Sequence, residues 1–205
     1  MTYYDITSKI SKDMIVYKNK EEKKPIFKKV ESSTFETVLT MNLHTGTHID
    51  FPSHIFRDGK TSSCFSLDKL ITNVKVLDLS QVIGKIKKSD LEKFEIIKGD
   101  FILLKTRNSF DNKFNFDFVY LTAAAAQYLS DVGIVGVGID ALGIEREQKD
   151  HITHKILLKN NIIIMEGINL MSVPAGNFEM IAMPLKIDGV DALPVSAVLK
   201  PVSIN

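Results

Sequence analysis

The chain has 205 residues, enough for a substantial core, and we predict a single domain over residues 1–205. Its net charge of +1 creates no field that would favour nucleic acid or an anionic membrane as a partner. A single cysteine, Cys64, excludes an intrachain disulfide. Because no apolar run approaches the ~18 residues of a membrane span and the first residues lack a signal-peptide pattern, we expect a cytoplasmic protein.

The first third of the chain favours β-structure. Residues 5–17 predict a short strand and a turn. Residues 18–29 are rich in lysine, which is typical of a solvated loop and less so of a phosphate-binding patch. Residues 30–43 mix β-branched, aromatic and polar side chains and predict a strand pair, and residues 55–66 predict a loop.

From residue 73 onward the pattern alternates between strands and helices. Strands are predicted at residues 74–79, 101–106, 134–139, 162–165, 178–187 and 195–202. Helices are predicted from an N-cap at Ser89 to Phe94, at residues 123–130 between Thr122 and Gly133, and at residues 152–159. Gly136 and Gly138 form a Gly-x-Gly pair, a weak nucleotide signal because no third glycine opens a helix behind it. The sum is an α/β fold with a mixed sheet and flanking helices.

Residues 44–54 concentrate metal-ligating side chains: three of the five histidines and an aspartate fall within this segment. The four candidate ligands are His44, His48, Asp50 and His54. All have even numbers, so in an extended strand they would share one face. Pro52 favours extended geometry at the residue before it, and Gly46 permits close backbone approach. Imidazole with carboxylate suits zinc, with iron, manganese and nickel as alternatives.

Two later residues extend the candidate site. Glu166 directly follows an apolar strand, where α/β sheets place their binding crevices, and a carboxylate is costly to bury there unless it meets a cation. His154 lies in the predicted helix at residues 152–159. His151 precedes it by three residues, and we interpret it as a surface residue or an outer partner of a ligand.

The chain resembles the cyclase family, whose best-known members are bacterial kynurenine formamidases (arylformamidases). Residues 44–54, His-Thr-Gly-Thr-His-Ile-Asp-Phe-Pro-Ser-His, are similar to the family signature His-x-Gly-Thr-His-x-Asp-x-Pro-x-His. His154 and Glu166, with the residues that follow each of them, resemble the family's second ligand block. Shorter similarities extend the resemblance over nearly the whole chain, at residues 5–17, 138–142 and 184–187.

This resemblance implies a swivelling β/β/α (cyclase-like) fold and assembly into homodimers or homotetramers. It also implies two Zn²⁺ ions per subunit, with Mn²⁺ as an alternative. The first ion would be held by His44, His48 and Asp50. Asp50 would bridge to the second ion, which takes His154 and Glu166.

The resemblance assigns His54 as the catalytic acid/base and Tyr17 as a substrate-binding residue. It implies a metal-dependent amide hydrolase in which a metal-activated hydroxide converts N-formylkynurenine and water to kynurenine and formate. The chain departs from the formamidase pattern after Tyr17, where Lys18-Asn19-Lys20 replaces Pro-Gly-Asp, and at Ser196, where relatives often carry arginine. Two alternatives therefore stay open: hydrolysis of another amide, lactam or lactone, and a non-catalytic metal-binding scaffold.

Overall fold

The computed structural model of the protein describes residues 3–202, apart from the side chain of Cys64. The described strands are β1 (Tyr4–Asp5), β2 (Ile26–Glu31), β3 (Phe35–Thr40), β4 (His48–Asp50), β5 (Ile71–Asp78), β6 (Lys85–Ile86), β7 (Phe101–Lys105), β8 (Tyr120–Leu121), β9 (Gly136–Ile139), β10 (Ile163–Glu166), β11 (Gly176–Pro184) and β12 (Ala192–Pro201). The described α-helices are α1 (Lys88–Leu91), α2 (Ala123–Val132) and α3 (Ile152–Lys159).

The main sheet closes on itself, and the short strand β4 is the element that closes it. The strands run in the order β1-β12-β11-β5-β7-β9-β10-β4, and β4 also pairs with the start of β12. Strands β5, β7, β9 and β10 are parallel, whereas β4, β11 and β12 join them by antiparallel pairings. The predicted mixed sheet with flanking helices is therefore confirmed.

Side-chain alternation along the strands separates two apolar cores. In β7, Phe101 and Leu103 belong to the core enclosed by the sheet, whereas Ile102 and Leu104 pack beneath the helices. All four are buried, because both faces of a central parallel strand are covered. The helix-side core includes Leu129 of α2 and Leu157 and Leu158 of α3.

The Gly-x-Gly pair at Gly136 and Gly138 serves packing inside the closed sheet. A Cβ atom on Gly136 would lie 2.3 Å from the Phe101 ring, and one on Gly138 would lie 2.6 Å from a methyl carbon of Leu103. These glycines therefore make room for the large interior side chains of β7, and the pair needs no nucleotide to explain it.

The two longer helices begin and end close to their predicted bounds. Thr122 accepts a hydrogen bond from the Ala125 backbone N–H at 3.3 Å, and Gly133 ends α2 in the left-handed conformation, with φ at +83°. Helix α3 covers Ile152–Lys159, as predicted. Within residues 3–202, no helix is both long and apolar enough to cross a membrane.

The prediction of Ser89 as a helix N-cap is wrong. The N-cap residue is Lys87, two residues earlier, and helix α1 starts at Lys88 and ends at Leu91 rather than Phe94. The capping interaction comes from Asp90, whose carboxylate accepts a hydrogen bond from the Lys87 backbone N–H at 2.9 Å. A carboxylate in the first turn also interacts favourably with the helix dipole, so Asp90 serves this end of the helix.

The predicted strand pair at residues 30–43 begins earlier in the structure. Strands β2 and β3 form a hairpin over residues 26–40, so residues 26–29, predicted as part of a solvated loop, form most of its first strand. Both faces of this two-stranded ribbon are largely exposed, which is why lysines are tolerated at Lys28 and Lys29. Because both faces are exposed, no apolar alternation marks where the ribbon begins, and its predicted start at residue 30 is four residues too late.

We predict that Gly136→Ala destabilises the protein by about 1–3 kcal/mol, because the new methyl group overpacks the enclosed core against Phe101. Urea denaturation of the wild type and the variant measures this loss. In a Phe101→Leu background the smaller side chain makes room, so the same substitution should cost less there. Equal costs in both backgrounds would contradict the packing role of Gly136.

Candidate metal centre

The candidate ligands of residues 44–54 meet in space, although their segment is not one extended strand as predicted. Only His48–Asp50 is a strand. Gly46, with φ at +69°, turns the chain between His44 and His48. After β4, Pro52 opens a 3₁₀ turn that ends at His54. Alternation of faces therefore explains the shared direction of His48 and Asp50 only, and turns bring in the two outer histidines.

Strand pairing places Glu166 directly opposite His48. The register of β4 and β10 matches His48 with Glu166 and Asp50 with Ile164. Gly167 follows with φ at +67°, and a Cβ there would lie 2.3 Å from the Gly46 carbonyl oxygen. This close approach fixes the turn before β4 against the end of β10.

The Asp50 carboxylate lies at the centre of the cluster, and its side chain is 1% exposed. Its Oδ1 atom lies 3.0 Å from His44 Nδ1 and 3.4 Å from His48 Nε2. Its Oδ2 atom lies 3.5 Å from His154 Nε2. Each oxygen therefore faces a different set of imidazoles.

Glu166 completes the cluster from the other side. Its Oε1 atom lies 3.3 Å from His154 Nε2, and its Oε2 atom lies 3.5 Å from His48 Nε2. The Ile144 backbone N–H donates to Oε1 at 2.6 Å, which holds the carboxylate in place. Five predicted ligands, which are far apart along the chain, are thus brought together: His44, His48, Asp50, His154 and Glu166.

Buried polar atoms without hydrogen bonds show that this donor set fits a cation. His48 Nε2 and both carboxylate oxygens of Asp50 are buried and have no hydrogen-bond partner, although imidazole nitrogens lie 3.0, 3.4 and 3.5 Å from the Asp50 oxygens. Leaving such atoms unsatisfied costs about 1–3 kcal/mol each, and more for a charge. Imidazole nitrogens with carboxylate oxygens are donors that zinc and manganese accept. A divalent cation would satisfy all three atoms.

Excess carboxylate charge also perturbs the histidines. Burial alone would lower the pKa of His44, but contacts with Asp50 and Asp191 raise it to about 9. Burial likewise opposes protonation of His154, yet Asp50, Glu145 and Glu166 raise its pKa well above the usual value. The cluster therefore attracts positive charge strongly, as a cation site must.

His54 differs from the other histidines of the site, since burial lowers its pKa below the ordinary value. Its ring centroid lies 4.1 Å from that of His44 and 5.7 Å from that of His154. Its side chain is 31% exposed, and it lines a cavity of about 610 Å³ next to the cluster. It can therefore be neutral and accessible where a substrate would enter.

Tyr17 lines the same cavity as His54. Its ring contacts Phe114 edge-on, with 5.3 Å between centroids, and burial raises the pKa of its hydroxyl. The ammonium nitrogens of Lys23 and Lys18 lie 5.3 and 5.5 Å from the centroid of the Tyr17 ring. One wall of the cavity therefore combines an aromatic face with positive charge.

Two further carboxylates belong to the site, and neither has a signal in the sequence. Asp191 Oδ2 lies 3.1 Å from His44 Nε2 and 3.5 Å from His54 Nδ1. Glu145 Oε1 lies 2.8 Å from the Nδ1 atoms of both His154 and His151. Glu145 lies in the irregular segment between β9 and α3, and Asp191 in the one between β11 and β12, where no periodicity indicates which way a side chain points. His151 is exposed, in agreement with its interpretation as a surface residue.

The fold and site together define a metal-dependent hydrolase. A family model described as "Putative cyclase" matches residues 4–146, and the chain therefore belongs to the cyclase family. A kynurenine formamidase from Bacillus anthracis is 35% identical over 166 residues, which cover 80% of this chain and 79% of that protein.

Solved structures agree with this assignment. A structure described as a potential metal-dependent hydrolase with cyclase activity is 45% identical and superimposes with a TM-score of 0.92, covering 97% of this chain and 96% of that one. Isatin hydrolase A from Labrenzia aggregata, at 20% identity, shares the fold with a TM-score of 0.82 over 97% of this chain and 93% of its own.

We predict that Asp50→Asn lowers the occupancy of two cations at once, because one carboxylate faces both sets of donors. Elemental analysis after dialysis against zinc measures the ions bound per chain. Asp13→Asn, at a side chain that is 81% exposed, is the matched control and should bind as the wild type does. Full loading of the Asp50→Asn variant would contradict the bridging role.

Proposed function

We propose that the protein is a zinc-dependent arylformamidase that hydrolyses N-formylkynurenine to kynurenine and formate. The observation that carries this proposal is the buried Asp50 carboxylate, unpartnered and shared between two sets of donors beside an open cavity. Manganese is the alternative cation. The similarity to kynurenine formamidases supports the choice of substrate.

Two ions are proposed, and the donors divide between them. His44, His48 and Asp50 would hold the first, since Asp50 Oδ1 faces both of these imidazoles. Asp50, His154 and Glu166 would hold the second, since Asp50 Oδ2 and Glu166 Oε1 both face His154 Nε2. Bound divalent cations acidify a water molecule and polarise a carbonyl oxygen.

His54 is the proposed acid/base of the reaction. Because burial lowers its pKa, the imidazole is neutral at neutral pH and can accept a proton. It takes the proton that water loses on attacking the formyl carbon. It then gives this proton to the aryl nitrogen as the C–N bond breaks, so the products are an amine and formic acid, which loses its remaining proton to water and becomes formate. Asp191 Oδ2 lies 3.5 Å from His54 Nδ1, close enough to stabilise the positive charge that the ring carries between these two steps.

The wall around Tyr17 supports an aromatic substrate that carries a carboxylate. The Tyr17 ring can stack on an aryl group. Lys23 and Lys18 lie beside that ring at the cavity, where an ammonium group can pair with the carboxylate of an amino acid. N-formylkynurenine has both features.

A second candidate is hydrolysis of another amide, a lactam or a lactone at the same site. The wall after Tyr17 favours it, because Lys18 and Asn19 form a turn with φ at +58° and +52° where formamidases have Pro-Gly-Asp. Replacing the residues that line the cavity next to the substrate changes substrate specificity while the proposed cation ligands stay the same.

A substrate panel distinguishes these candidates. Zinc-loaded protein is assayed with N-formylkynurenine, formanilide, a lactam and a lactone, and kcat/KM is compared. We expect the highest value for N-formylkynurenine, and a lower one for formanilide, which lacks the carboxylate. Preference for a ring substrate would establish the second candidate, and inertness toward all four would overturn both.

We predict that His54→Ala keeps its bound zinc and loses about 10²–10⁴-fold in kcat, because proton transfer is lost while the ligands remain. Elemental analysis and steady-state kinetics on the same preparation separate the two effects. Added imidazole should restore part of the rate in this variant. An unchanged kcat would remove His54 from the mechanism.

Assembly into a homodimer or homotetramer is also proposed, and the β2–β3 ribbon supports it. A two-stranded ribbon is marginally stable on its own, and no other described strand pairs with this one. Its exposed apolar side chains include Phe35, 86% exposed, and Ile26, 64% exposed. A second copy of the chain would cover them.

Three further expectations stay predictions from the sequence: location in the cytoplasm, a small-molecule amide as the partner, and the absence of nucleic-acid and membrane partners.

Light scattering after gel filtration tests this assembly. We predict that Phe35→Ser with Ile26→Ser shifts the protein from an oligomer toward a monomer, because both substitutions remove apolar surface from the ribbon. Ile83→Ser is the control, since Ile83 is 80% exposed but lies outside the ribbon. A monomeric wild type would refute the proposed assembly.

A further inference from the structure

Glu145 is a buried carboxylate that the proposed cation ligands and acid/base do not use. It follows β9 in an irregular segment, and its side chain is only 5% exposed. Its Oε1 atom accepts hydrogen bonds from His154 Nδ1 and His151 Nδ1, each at 2.8 Å. Its Oε2 atom accepts one from the Thr153 backbone N–H at 2.9 Å. Both carboxylate oxygens of Glu145 therefore accept hydrogen bonds from nearby residues of the chain.

The bond to His154 decides which nitrogen of that ring faces the candidate cation site. When Nδ1 carries the hydrogen that it donates to Glu145, Nε2 is left with its lone pair free for a cation. That Nε2 atom lies 3.3 Å from Glu166 Oε1 and 3.5 Å from Asp50 Oδ2. The ring is thus oriented from behind, with its free nitrogen toward the two carboxylates.

The chain around Glu145 is held in unusual backbone conformations. Glu147, Asp150 and His151 all have positive φ, at +52°, +59° and +52°. Non-glycine residues keep such conformations only where the surrounding structure determines them, and they concentrate at functional sites. These conformations lead the chain into α3, whose first turn supplies both Thr153 and His154 to the same carboxylate.

The other candidate histidines lack a comparable partner. His48 Nδ1 lies 2.9 Å from the Gly46 carbonyl oxygen, a neutral acceptor. His44 Nε2 meets Asp191, whose side chain is 47% exposed. Only the imidazole assigned to the second cation has a buried carboxylate behind it, so the effect of that carboxylate is confined to one of the two ions.

We propose that Glu145 is a positioning residue that fixes the orientation and tautomer of His154 for the second cation. This inference rests on the proposed two-cation site. Outer carboxylates that hold a ligating imidazole typically contribute 10–100-fold to metal affinity, because they orient the ring and raise its basicity. Glu145 therefore sets the affinity of the second ion without touching it.

Zinc titration of the chelator-treated protein against a competing chromophoric chelator tests this role. The wild type should bind two ions. Glu145→Gln should weaken the second by about 10–100-fold and leave the first within about twofold. Glu147→Gln, at a neighbouring glutamate that is 72% exposed, is the matched control and should bind both ions as the wild type does.

A second measurement reads the ring directly. In zinc-loaded wild type with ¹⁵N-labelled histidine, NMR should show His154 bound through Nε2, with a slowly exchanging proton on Nδ1. Glu145→Asp, which keeps the charge but shortens the side chain, should bind the second ion more weakly than the wild type does. It serves as the test variant if Glu145→Gln does not fold.

The outcomes separate this inference from the proposed function. A wild type that binds no zinc would overturn the two-cation site and the role of Glu145 with it. Two tight ions in the wild type, together with equally tight binding in Glu145→Gln, would overturn the role of Glu145 alone. Zinc on Nδ1 of His154 would do the same.

Discussion

The closure of the sheet by β4 is the constraint on which the rest of the site depends. Three residues, His48 to Asp50, pair with β10 on one side and with β12 on the other. This double pairing buries a strand that carries an imidazole and a carboxylate, and it sets His48 against Glu166. Ile49 points into the enclosed core and is 1% exposed, so the register cannot slip without exposing it. Apolar packing thereby fixes the polar site.

Charge balance follows from that constraint. The site has too many buried carboxylates for its hydrogen-bond donors, and both oxygens of Asp50 lack a partner. These unpartnered oxygens lower the free energy of unfolding, and apolar burial in the two cores of the closed sheet compensates for that loss. Because rigid strands and α3 hold the donors, a cation would find them largely in place, and little ordering of the chain would oppose its binding.

The sequence predicted which side chains converge better than it predicted how the chain brings them together. A distinctive motif named His44 to His54, but the assumption of one extended strand held only for β4. Helix α3 and the Thr122 cap were predictable because local side-chain chemistry decides them. Glu145 and Asp191 were not, because long-range folding brings them to the site from irregular segments. The start of the β2–β3 ribbon was missed since an exposed ribbon needs no apolar alternation.

The closed sheet also determines where the protein is vulnerable to self-association. A ring of strands offers few unpaired backbone groups to a neighbouring chain, whereas the outer edges of β2 and β3 pair with no other described strand. Exposed apolar side chains on the same ribbon make those edges adhesive. At high concentration, chains that have separated from the proposed oligomer would aggregate from this ribbon by edge-to-edge strand addition. Lysines such as Lys28 and Lys29 act as gatekeepers against it, since like charges repel when two such edges meet.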